Sequence, residues 1–294
     1  MKRFINKLLL DTLVALRYVL SDKLYIKLYF YLRMGYRLNL DNPETMNEKL
    51  QWLKLYNRMP EYTTMVDKYE AKKYVANIIG EEYIIPTLGC WDRAEDIDFD
   101  KLPNQFVLKC THNSGNVIIC NDKSQMNKPQ VLKLLKKELS RNYFSYNREW
   151  PYKNIKPRII AEKLMTDNTN LGLNDYKFYC FDGFVDSVMI CIDRHLGSPK
   201  FYFFDKEWNL KRYNKRGKEA ADNFSLPKPP NIEKMFNIAS RLSDGIPFVR
   251  IDLYNIEGRI YFGEATFFPS SGCDRNRLKE SDIYFGQLIK LPNK

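Results

Sequence analysis

The sequence predicts an α+β fold behind a mostly helical N-terminal segment. Three observations carry that prediction. Apolar residues recur at helical spacing through much of residues 1–64, and the N-terminal part of the chain lacks an alternating strand–helix pattern. Two hairpins with period-two character stand in the second half, turning at Asp182-Gly183 and at Asn255–Gly258. Before and between them lie single strands set off by loops and isolated helices.

Composition sets the outer limits. The 294 residues are 44% hydrophobic and 14% aromatic, enough for one large core or two modest ones. A formal charge of +11 and a pI of about 9.2 imply an anionic partner: nucleic acid, a phosphorylated substrate or a membrane face. The six cysteines form no CxxC pair and the histidines are His112 and His195, so zinc-type spacing is absent. The cysteines read as free, mostly buried thiols of a reducing cytoplasm.

Residues 1–40 pair an apolar helical pattern (Ile5, Leu8, Leu9, Leu13, Leu16, Leu20) with eight Lys or Arg against Asp11 and Asp22. Asp11 and Arg17 interrupt the apolar run well short of the roughly 20 residues a membrane span needs. The pattern suits a helix packed on its own domain, or an interfacial helix on an anionic membrane. Thr45 and Glu48 form a capping box opening the next helix. A further helix is expected from Met65 to Ile79, ended by Gly80, and a short strand from Glu82 to Pro86.

Gln105–Lys109 reads as a strand, followed by the small polar loop 110–116 and a second apolar strand, Val117–Cys120. Such a loop lays backbone N–H groups over phosphates, with Lys109 supplying a point charge. Residues 129–140 form a basic amphipathic helix, and 142–156 an aromatic loop bounded by proline. Strands follow at Arg158–Leu164, Asp175–Phe181, Phe184–Asp193 and Lys200–Asp205, then a polar loop over 206–230 and a helix from Ile232 to Leu242. A short helix closes the chain over 281–291.

The most informative stretch is Phe248–Gly272. Val249, Ile251 and Leu253 alternate with Arg250, Asp252 and Tyr254, so Arg250 and Asp252 share one face. Glu264 lies on the returning strand, within reach of the same point without needing to be the direct partner of Asp252. Two carboxylates with a guanidinium suit Mg²⁺ carrying phosphates; a solvated surface hairpin has the same pattern. Asp98-Phe99-Asp100 is an Asp-x-Asp of the glycosyltransferase type, though short enough to arise by chance.

Taken together, Asp67-Lys68, the strand Phe106–Lys109 with its loop, Ala161–Leu164, the Asp182-Gly183 hairpin, Arg250-x-Asp252 and Glu264-x-Thr266-x-x-Pro269 resemble the ATP-grasp superfamily. The segments NEKLQWLKLYN, LPNQFVLKC, EWPYKNIKPRIIAEK and PFVRIDLYN resemble its TupA-like branch, associated with teichuronopeptide and capsule-type polysaccharide synthesis. The resemblance runs from about Asn42 to the end. It implies two α+β subdomains, 65–165 and 166–294, clasping ATP behind a helical segment 1–64.

For the site, the resemblance implies that Lys68 and Lys109 hold the phosphates under the 111–116 loop, with Thr111, Ser114 and Gly115. Glu162, Lys163 and Leu164 lie at the adenine edge, and Asp175 at the ribose. Arg250 stabilises the transferring phosphoryl group, and Asp252, Glu264 and Thr266 bind Mg²⁺. Thr266 stands where many members have Asn. The implied activity is ATP-dependent carboxylate–amine ligation through an acyl phosphate, joining an amino acid to a uronic acid of a glycan precursor. Rival readings are a glycan or sugar kinase on the same ATP site, a glycosyltransferase using Asp98 and Asp100, and a basic non-catalytic binder. Expected partners are ATP and a carboxylate-bearing glycan or amino acid, with no nucleic acid. The expected location is cytoplasmic, with residues 1–40 able to touch the inner membrane face. Arg148, Arg194 and Arg275 are further basic residues able to reach an anionic substrate.

Overall fold

The computed structural model describes residues 2–166, 173–193 and 197–293. Arg194 and His195, and most of the turn-rich 167–174 connection, lie outside them.

The N-terminal segment is helical, as its spacing predicts. Helices α1 (Lys2–Ala15) and α2 (Asp22–Met34) form a hairpin, and Ser21 caps α2 by accepting from the Leu24 N–H. Helix α3 (Met46–Tyr56) opens with the predicted capping box, in which Thr45 and Glu48 satisfy each other's backbone donors.

The helix expected over 65–79 is instead two. Helix α4 (Pro60–Val66) ends before Asp67, and α5 (Glu70–Ile79) begins after Tyr69. The reason is local: the Asp67 carboxylate accepts from the N–H groups of Tyr69 and Glu70, at 2.9 and 3.3 Å, and competes with helical pairing. The 82–86 strand is also displaced. Residues Glu81–Tyr83 form a 3-10 turn, and the strand β1 (Thr87–Trp91) starts beyond Pro86, which has no N–H to give a ladder.

Two antiparallel sheets follow. The smaller joins β1 with β2 (Phe106–Cys110), β3 (Ile118–Cys120) and β4 (Ile159–Lys163) in the order β1-β4-β2-β3. Helix α6 (Lys128–Leu139) covers it, burying Leu135 among Phe106, Leu108 and Ile159. The aromatic stretch after α6 is not an open loop; it contains α7 (Tyr143–Asn147) and a 3-10 turn at Trp150–Tyr152.

The larger sheet joins β5 (Asp175–Phe181), β6 (Phe184–Ile192), β7 (Lys200–Phe204), β8 (Leu210–Lys211), β9 (Val249–Ile256) and β10 (Arg259–Thr266) in the order β10-β9-β5-β6-β7-β8. The stretch 206–230 thus contains β8, and with it the short helix α8 (Lys215–Glu219). Helix α9 (Ile232–Leu242) packs Met235, Phe236, Ala239 and Leu242 under this sheet, and α10 (Lys279–Leu288) lays Phe285 on the other face, against Tyr179 and Phe203. The buried faces of α3, α4 and α5 join the same large core.

Candidate nucleotide and phosphoryl-transfer site

Between the sheets opens a cleft of about 470 Å³. Its floor is the cleft-facing side of β5 and β9. On β5 the residues Asp175, Lys177 and Tyr179 point the same way, and Lys177 is the cross-strand partner of Asp252, Tyr179 that of Arg250.

Arg250 and Asp252 form the tightest unit. Arg250 donates to both oxygens of Asp252, from Nε at 2.6 Å and Nη2 at 2.7 Å, while Lys177 donates to the same carboxylate. Burial opposes ionisation of Asp252, yet the two cations outweigh it and hold the carboxyl below its usual range. Arg250 also reaches Thr266 Oγ1 at 3.0 Å and Glu264 Oε1 at 3.4 Å.

Glu264 stands directly opposite Asp252, which simple pairing does not deliver. From Arg259 to Phe262 the register would put Gly263 against Asp252 and turn Glu264 to the buried face. A bulge at Gly263 inserts one residue and restores Glu264 to the cleft. A Cβ at Gly263 would lie 3.0 Å from the Asp252 carbonyl, so the close approach suits glycine.

From the other side come Lys109, on β2, and Lys68, in the break between α4 and α5. Lys109 pairs with Glu162 at 2.5 Å, and Lys72 holds the second oxygen of Glu162 at 2.6 Å. Burial again opposes ionisation of Glu162, but Lys109 and Lys72 bring its carboxyl below the ordinary value. The Lys68 ammonium donates to the Asn113 carbonyl, and its backbone N–H to Thr111. Burial lowers its pKa, against the pull of Glu264.

Of the predicted residues, Lys68, Lys109, Ser114, Gly115, Asp175, Arg250, Asp252 and Glu264 line the cleft together. Thr266 joins through Arg250. Glu162 lies in an adjoining slot of about 20 Å³ among Met65, Val66, Ile85 and Phe262. Lys163 and Leu164 line neither space; the Lys163 N–H is bonded to the Pro86 carbonyl. Thr111 is fully buried. His112 is buried too, its Nε2 3.2 Å from the Arg141 carbonyl, and burial lowers its pKa. Arg148 is committed to Asp22 and to backbone carbonyls. Arg275 is exposed and does not line the cleft. Asp98 and Asp100 pair with Lys101 and Lys128 at the surface, outside the cleft.

Sequence reasoning missed Lys72, Lys177, Tyr179 and Arg277. Lys177 was open to discovery, two residues from Asp175 on a strand already identified; Lys72 is four residues beyond Lys68, in the first turn of α5.

Part of the cleft wall is a turn at Pro269–Gly272 in which Ser270 and Ser271 both take left-handed conformations, φ 52° and 53°. Lys54 and Gln51 of α3 hold it, each donating to the Ser271 carbonyl at 2.9 Å, and Glu149 accepts from the Ser271 hydroxyl at 2.7 Å.

Among the described residues no three His, Cys, Asp or Glu side chains converge as a metal cage. The donors still fit Mg²⁺ of the kind that arrives with phosphates, which needs only one or two carboxylates from the protein. Glu264 offers such oxygens, its side chain 43% exposed to the cleft beside Asp252 and Thr266.

Two sheets facing each other across a cleft of opposed lysines, arginine and carboxylates are the arrangement of an ATP-grasp fold. A family model described as TupA-like ATPgrasp matches residues 48–290, and the chain belongs to that family. No curated protein matches the sequence. Among solved structures, D-alanine–D-alanine ligase from Bacillus anthracis is similar at 15% identity and a TM-score of 0.44, over 84% of this chain and 68% of that one. An L-amino acid ligase from Bacillus licheniformis is similar at 13% identity and a TM-score of 0.45, over 77% and 49%. The ATP-grasp ligase PsnB, complexed with minimal precursor, Mg and ADP, is similar at 12% identity and a TM-score of 0.38, over 76% and 58%. The family assignment rests on the family model alone.

Proposed function

We propose that the protein is an ATP-dependent carboxylate–amine ligase that works through an acyl phosphate and modifies a cell-surface polysaccharide precursor, joining an amino acid to a uronic acid. The observation that carries the ATP half is the convergence of Lys68 and Lys109 with Lys177, Arg250 and Glu264 on one cleft. Charge neutralisation and positioning are what phosphoryl transfer asks of a protein. The polysaccharide half rests on family membership alone.

In this reading the subdomains 65–165 and 166–294 clasp the nucleotide, and helices α4 and α5 lend their apolar faces to the larger core. Lys68, Lys109 and the N–H groups at Ser114 and Gly115 hold the phosphates. The base enters beside Glu162, Lys163 and Leu164; the slot there has room for about one water, so the sheets part to admit it. Asp175 meets the ribose. Asp252, Glu264 and Thr266 would hold Mg²⁺, which would supply neutralisation of phosphate charge.

A substrate carboxylate oxygen attacks the γ-phosphorus, and the bond to the bridging oxygen breaks as ADP leaves. Arg250 holds the equatorial oxygens. The amine nitrogen then attacks the acyl carbon, inorganic phosphate departs with the C–O electron pair, and the nitrogen releases a proton to solvent.

Membrane contact through residues 1–40 is part of the proposal. On α2, Leu24, Leu28 and Tyr31 recur at i, i+4 and i+7 and are 46%, 40% and 51% exposed, beside Lys23 and Lys27. No helix among the described residues is long and apolar enough to cross a membrane. The exposed apolar and basic side chains of α2 support contact with an anionic membrane face, and a cytoplasmic placement at its inner side belongs to the same proposal.

Thermal unfolding with Mg-ATP, beside UDP-sugars with Mn²⁺, tests the reading. Nucleotide at about 100 times its Kd adds about 2.7 kcal/mol. A rise in Tm with Mg-ATP that vanishes in Asp252→Ala supports the clasp. A rise with UDP-sugars alone overturns it.

A further inference from the structure

One end of the cleft has no part in holding phosphates. Beyond Arg250 the floor continues over Tyr179 to Phe203 and Phe201, and Arg277 stands in its wall. The Arg277 side chain is 2% exposed. Its Nη1 donates to Asp282 at 3.2 Å. Its Nε makes no hydrogen bond, and Nη2 has only a 3.5 Å ion-pair contact with Asp274. A buried guanidinium whose Nε has no acceptor and whose Nη2 has only a long ion-pair contact is costly unless something fills the remaining donors. Arg277 is fixed by more than that pairing: it forms a β-bridge with Asn214, and the guanidinium lies 5.4 Å from the Phe285 ring centroid.

We propose that Arg277 binds a carboxylate of the amine substrate, one that is not phosphorylated, and seats that substrate on the Tyr179–Phe203–Phe201 floor. Planar N–H edges match a carboxylate in a way that a lysine ammonium does not. The Arg277 guanidinium lies 5.9 Å from the Tyr179 ring centroid, and Tyr179 is the cross-strand partner of Arg250, so a ligand on Arg277 sits next to the phosphoryl-transfer end rather than on it. The substrate class is therefore an amino acid or another amine carrying a free carboxylate. This rests on the ligase reading.

The test uses the full chain with Mg²⁺ and a non-hydrolysable ATP analogue. L-alanine, D-alanine, L-glutamate and D-glutamate are each titrated against the corresponding α-amide, reading Tm. At least one acid raises Tm where its amide does not, and Arg277→Gln weakens that response at least tenfold while keeping the nucleotide-induced shift. Arg277→Lys keeps a charge for Asp282 and Asp274 but loses the fork, and it shows the same loss, which separates recognition from folding. Equal responses to acid and amide, an undiminished response in Arg277→Lys, or no response to any acid overturns the proposal. A wild-type chain without a nucleotide shift counts against the ATP site instead.

Discussion

Replacing Asp252 by alanine puts the central ion network to the test. Its carboxylate is 3% exposed and is shared between Arg250 and Lys177. Removing it leaves two buried cations facing each other, and breaking a buried pair in this way costs about 3–5 kcal/mol. Glu264 at 3.4 Å from Arg250 and Asp175 at 3.6 Å from Lys177 remain, so the lower end applies, about 3 kcal/mol. At about 2–4 °C per kcal/mol, Tm falls by about 6–12 °C. Removing Lys177 as well relieves the repulsion, so Asp252→Ala/Lys177→Met is less destabilised than the sum of the single changes by about 1–3 kcal/mol. Differential scanning fluorimetry reads the stability, and ADP release from Mg-ATP reads turnover, which is abolished in Asp252→Ala. An unchanged Tm with additive single and double variants refutes the network. Wild-type turnover in a folded Asp252→Ala refutes the site.

Other consequences follow from the same geometry. Lys109→Ala removes a cleft cation and one partner of Glu162; ATP turnover is lost while circular dichroism shows the fold retained. Glu162 has a folded pKa depressed below its unfolded value of about 4.5, so its stabilisation is present above that pH and disappears as pH falls through the folded pKa. Glu162→Gln therefore shows a smaller loss of Tm than wild type on acidification below about pH 4.5, and an equal loss contradicts the assignment. Leu24→Asp with Leu28→Asp abolishes co-sedimentation with phosphatidylglycerol vesicles at low salt, while ADP release in solution is unchanged; vesicle binding that survives the pair removes α2 from the contact.

The sequence made the Arg250–Asp252 face legible because alternation along a strand is a rigid geometric rule. The Thr45 capping box was legible for the same reason: both partners lie within four residues. The direct opposition of Glu264 to Asp252 was not, since it depends on a one-residue bulge whose only local trace is Gly263. Nor was the break at Asp67–Tyr69, where a side-chain carboxylate takes helix donors and is itself held by Arg158, distant in the chain, at 2.8 Å. Lys72 and Glu162 meet only once α5 and β4 are brought together. What stayed hidden was pairing between elements, which no local period encodes.

The turn at Ser270 and Ser271 bears on how the protein could be cut or recombined. Two non-glycine residues in left-handed conformations cost on the order of 1–3 kcal/mol each and persist only while their surroundings insist on it. Here the insistence comes from Gln51 and Lys54, more than two hundred residues earlier in the chain. A piece that began just after α3 would keep every lysine and carboxylate of the cleft and still lose the brace of its wall. Helix α3 is thus no detachable leader. It works as a keystone, and a chimaera joined downstream of it would fold around a slack rim.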